Sequence, residues 1–89
     1  MPRVFFFSDG DIRLLVPCGL QGEECGGSDG HWLYAWLPNG DLRFLRKDLP
    51  AGVIPVKEGN DFLWVEGTLL CKGDPSGQRR CTELREPPP

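Results

Sequence analysis

The sequence predicts an all-β fold: a small antiparallel barrel or sandwich built from three to four consecutive hairpins. Three observations predict it. Gly-Asp and Asn-Gly corners recur between short apolar runs. β-Branched and aromatic residues fill those runs, as pleated strands favour. Glycine (12) and proline (9) punctuate the 89 residues too often for long helices.

The first hairpin runs from Val4-Phe5-Phe6-Phe7 through Ser8-Asp9-Gly10-Asp11 into Ile12-Arg13-Leu14-Leu15-Val16. The second runs from residues 32–37 through Pro38-Asn39-Gly40-Asp41 into Leu42-Arg43-Phe44-Leu45. The phrase Gly-Asp-Ile/Leu-Arg-Leu/Phe-Leu therefore occurs twice, thirty positions apart. A looser third copy places Glu58-Gly59-Asn60-Asp61 between residues 53–56 and 62–65. Glycine at such corners supplies the positive φ that tight hairpins need. A fourth pair joins residues 68–71 to 78–84 across Lys72-Gly73-Asp74-Pro75-Ser76-Gly77.

These elements imply one domain over residues 1–84, of SH3-like size, with residues 85–89 as a flexible proline tail. The longest irregular stretch is 17–30, rich in glycine and acid. In Trp32-Leu33-Tyr34-Ala35-Trp36-Leu37 both odd and even positions are apolar, so this strand is expected to be covered on both faces. Ile12, Leu14 and Val16 face one way while Arg13 faces the other.

Charge narrows the function classes. The net charge is −3 and the pI about 5.0, which disfavours nucleic-acid and anionic-membrane partners. No apolar run approaches the roughly 20 residues of a membrane-spanning helix. The apolar start is shorter than a secretory signal core, so a cytoplasmic protein with free thiols is expected.

Four cysteines, Cys18, Cys25, Cys71 and Cys81, could together ligate zinc. Six residues separate the first pair and nine the second, whereas zinc knuckles place about two to four between ligands. The same local spacing admits disulfides Cys18–Cys25 and Cys71–Cys81 in an oxidising compartment, and the expectation remains free thiols. His31 is the single histidine, and the sequence supplies no orienting third group for a Cys–His nucleophile. The Asp and Asn residues of the corners serve the turns, and the glycines at 19, 22, 26 and 27 lack the lysine of a phosphate loop. No enzyme and no cofactor are expected.

The aromatic residues carry the functional expectation. Trp32, Tyr34 and Trp36 fall on one face of one strand, and Trp64 on another strand. Aromatic anchors dominate protein interfaces, so the expected role is a non-enzymatic adaptor that binds another protein through these residues, with Arg43 and Arg46 beside them, or through an exposed sheet edge. The same edge admits a homodimer. Two alternatives follow from the same residues: a barrel that stacks single-stranded nucleic acid on aromatics flanked by arginines, and a zinc-stabilised structural subunit.

Overall fold

The computed structural model describes residues 2–19, 22, 24–25, 30–57 and 61–85. Those residues form eight strands and no helix. The strands are β1 (Arg3–Phe6), β2 (Ile12–Pro17), β3 (His31–Trp36), β4 (Leu42–Leu49), β5 (Ile54–Pro55), β6 (Phe62–Glu66), β7 (Leu69–Gly73) and β8 (Arg79–Glu83). They make two four-stranded antiparallel sheets, ordered β1-β2-β3-β4 and β5-β6-β7-β8. The chain divides accordingly into two compact units, Met1–Ala51 and Gly52–Pro89. Each sheet is an open meander in which every strand pairs with its sequence neighbour, so the barrel alternative is corrected to open sheets.

Turn chemistry explains the meander in the first unit. The Phe7 amide donates to the Asp11 carbonyl (2.9 Å), and the Gly10 amide donates to the Phe7 carbonyl (3.0 Å). The second corner repeats this arrangement, with Leu37 to Asp41 and Gly40 to Leu37, both 2.9 Å. Gly10 and Gly40 take φ of 94° and 90°, where a side chain would be disfavoured. Asp9 and Asn39 complete the corners by accepting the amides of Asp11 and Asp41. Repetition of the sequence phrase is thus repetition of one turn geometry.

β4 continues beyond residue 45 to Leu49, and its pairing with β3 shifts register between Leu33 and Tyr34 and again between His31 and Leu33. Each shift inserts unpaired residues on β4, as a bulge does, and Asp48 there adopts φ 60°. The core lies on β2 and β3. Leu14, Leu15 and Val16 are all buried, as are Leu33, Tyr34 and Ala35, so both faces of these central strands are covered as the apolar run implied.

In the second unit, β6 turns into β7 through Gly67-Thr68 with Gly67 at φ 59°. A two-residue loop with positive φ at its first position is a hairpin turn that glycine favours. Phe62, Trp64 and Cys71 are buried on one face of this sheet. The third corner, residues 58–60, lies outside the described residues, though the Val56 amide donates to the Asp61 carbonyl at 3.3 Å across it. Residues 86–89 of the expected proline tail also lie outside them.

Candidate functional site

Antiparallel register decides which side chains share a face, because directly opposed residues project to the same side. One row of the first sheet reads Phe6, Ile12, Trp36, Leu42 across the four strands. The next reads Val4, Leu14, Tyr34, Phe44, and Val16 lies opposite Trp32 beyond it. None of these ten residues is charged, in a chain that is 26% charged.

Part of this face is core. Leu14, Val16 and Tyr34 are buried and cluster with Trp32 and Leu42. Phe44 packs over both aromatics, its ring 5.2 Å from Trp32 and 5.9 Å from Tyr34 in tilted and edge-on arrangements. Such pairs contribute about 0.5–1.5 kcal/mol each beyond area burial. The rest of the face meets solvent. Phe6 is 75% exposed, Phe44 47%, Trp36 45% and Val4 41%. These four lie on one face of the sheet, on β1, β3 and β4, with Ile12 of β2 between Phe6 and Trp36 in one row.

The opposite face of the same sheet carries the arginines. Arg13, Ala35 and Arg43 share one row, and Arg3, Leu15, Leu33 and Arg46 another. Arg13 pairs with Asp11 at 3.4 Å, and Arg3 donates to the Ala51 carbonyl while lying over the Phe5 ring. Arg43 and Arg46 are therefore on the side away from Trp32, Tyr34 and Trp36.

The expected binding residues thus separate by role in the fold. Trp36 is exposed, Trp32 is partly buried, and Tyr34 is 1% exposed at the centre of the sheet. Trp64 belongs to the second unit, where it is 4% exposed beside Cys71. Phe6 and Phe44 belong to the exposed patch but were not among the expected residues. Their alternation with Arg13 and Arg43 across the sheet depends on pairing register, which the sequence signals only through its matched corners.

The cysteine expectation is corrected. Cys18 is joined to Cys25 and Cys71 to Cys81, with no free thiol left. Cys71 and Cys81 stand directly opposite on β7 and β8, which brings their Cα atoms to 4.0 Å. Disulfide sulfurs offer no thiolate, so Cys18, Cys25, Cys71 and Cys81 do not supply the ligand set of a structural zinc in this state. Cys18 and Cys25 likewise offer His31 no thiol partner. The His31 Nδ1 atom is buried without a hydrogen bond among the described residues.

A groove of about 530 Å³ in the second unit is lined by Asp61, Lys72, Gly73, Gln78, Arg79 and Arg80. Five of its six lining residues carry polar or charged side chains, unlike the mostly hydrophobic lining of a typical small-molecule site. No helix among the described residues is long and apolar enough to cross a membrane. Compared with protein-family models, with curated proteins and with solved structures, the chain matches none.

Proposed function

We propose that this chain is a non-enzymatic interaction module that binds another protein through the uncharged aromatic face of its first sheet. The observation that carries this reading is the set Phe6, Trp36, Phe44 and Val4, exposed on a face whose ten named residues are all uncharged. Exposed aromatic side chains fixed on a rigid sheet lose little entropy on binding and bury large areas. Placement of Arg43 and Arg46 on the other side removes the geometric support for stacking nucleic acid between aromatics and arginines. The closed cysteine pairs favour an oxidising surrounding over the reducing cytoplasm.

The test compares the unmodified chain with the double variant Phe6→Ser, Trp36→Ser in crosslinking capture from the producing cells. Both positions are exposed, so the far-ultraviolet spectrum and melting temperature should hold while the specifically captured protein disappears. Phe44 is left intact because it packs on Trp32 and Tyr34. Identical capture by the folded variant would refute the reading. A second copy of the chain as the captured species would identify the patch as a homodimer face.

A further inference from the structure

We propose that the Cys71–Cys81 disulfide is a thiol-exchange site, at which an external thiol is captured on Cys81 and released again by Cys71. The site lies in the second unit and the inference is independent of the aromatic face. Three features of the structure carry it. The first is an asymmetry of access. Cys71 has no exposed surface, whereas Cys81 sits on β8, exposed along its whole length and forming the free edge of its sheet. An attacking thiolate approaches in line with the sulfur–sulfur bond, and the open edge of β8 offers that approach to Cys81 alone.

The second feature is a carboxylate beside the protected sulfur. Glu66 ends β6, and its Oε2 lies 3.7 Å from the Cys71 Sγ. The third feature fixes that carboxylate. The Arg79 guanidinium donates to Oε1 of Glu66, leaving Oε2 turned to the sulfur. Register explains why they meet: Trp64, Cys71 and Cys81 form one row across β6, β7 and β8, with Glu66 and Arg79 on the same face.

The chemistry balances without any further oxidant. A thiolate of the glutathione or protein-cysteine class attacks the Cys81 Sγ and forms a mixed disulfide. The Cys71–Cys81 bond breaks, its electron pair goes to the Cys71 Sγ, and that sulfur takes a proton from water. In the return step the Glu66 carboxylate accepts this thiol proton as Cys71 attacks the Cys81 Sγ. The internal disulfide re-forms, the external thiolate leaves, and Glu66 passes its proton to solvent. One disulfide replaces another at each step, so no net oxidation occurs.

The experiment treats the full oxidised chain with millimolar reduced glutathione, quenches with N-ethylmaleimide and maps the adducts by peptide mass spectrometry. Glutathione should appear on Cys81 and maleimide on Cys71. Glutathione on Cys71, or no adduct on the native chain when the urea-unfolded chain reacts, would overturn the proposal. The variant C71S, loaded on Cys81 by exchange with oxidised glutathione and then freed of excess thiol, should keep the adduct while the unmodified chain's isolated adduct resolves, because its resolving sulfur is gone. In E66Q the isolated adduct should resolve at least about a hundredfold more slowly near pH 7, the lower end of what a general base contributes. That gap should close as pH rises toward the ordinary thiol range near ~8.5, where hydroxide does the same work. Equal rates for E66Q and the unmodified chain at pH 7 would remove Glu66 from the mechanism and the proposal with it. Should E66Q fail to fold, the adduct map and C71S still decide the exchange.

Discussion

Gly73 ends β7 at φ 130°, and a Cβ there would meet the Gln78 carbonyl oxygen at 2.5 Å and the Arg79 Cα at 3.0 Å. Gly40 also has positive φ, but nothing lies within 4 Å of its would-be Cβ. The two glycines therefore separate backbone strain from collision. Gly40→Ala should cost about 1–2 kcal/mol, the strain of a left-handed residue alone. Gly73→Ala adds a clash with main chain that cannot swing aside, and should cost about 3 kcal/mol or more. Urea unfolding of the two variants measures both. Equal costs would mean that the β7–β8 corner relaxes freely. The turn role of Gly40 is legible in Pro-Asn-Gly-Asp, whereas the collision at Gly73 depends on how closely β8 folds back.

At the scale of elements, β3 shows what alternation can and cannot reveal. Its unbroken apolar run from Trp32 announced a strand covered on both faces, and Leu33, Tyr34 and Ala35 are buried in succession. Alternation also put Trp32, Tyr34 and Trp36 on one face, as the register has them. It could not rank their exposure, because that depends on what the neighbouring strands lay across them. Phe44 of β4 covers Trp32 and Tyr34, while Trp36 sits in the row with Phe6 at the open end. Tyr34→Ala should then destabilise the first unit by about 3–5 kcal/mol, as a large-to-small change in a packed core does. Trp36→Ser should shift stability far less, within about 1 kcal/mol. Chemical denaturation followed by circular dichroism compares them. A Trp36 variant that unfolds like the Tyr34 variant would show that the patch is core.

The whole molecule divides a small chain into two sheets, and small units lack room for deep cores. Each contains one disulfide closing a short loop, with sequence separations of 7 and 10. Loop-closure entropy for loops of this length gives about 2–3 kcal/mol per bond. Full reduction should therefore lower the melting temperature sharply, and C71S with C81S should reproduce the part belonging to the second unit. A reduced chain that melts with the oxidised one would show that the cores suffice by themselves. Local spacing made both pairings geometrically simple, yet the expected free thiols followed from reading the apolar start as too short for a secretory signal core. That reading concerns one short segment, whereas the Cys71–Cys81 bond follows from which strands meet.

The sequence alone determined the strands, their turns and their neighbour-to-neighbour order, because φ preference and apolar alternation act over a few residues. Two things were decided only by tertiary structure. Cross-strand register sorted aromatic from arginine side chains onto opposite faces of the first sheet, and it set Cys71 against Cys81 with Glu66 beside them. Both depend on residues far apart in the chain, whose encounter is fixed by the sum of many pairings rather than by any local motif.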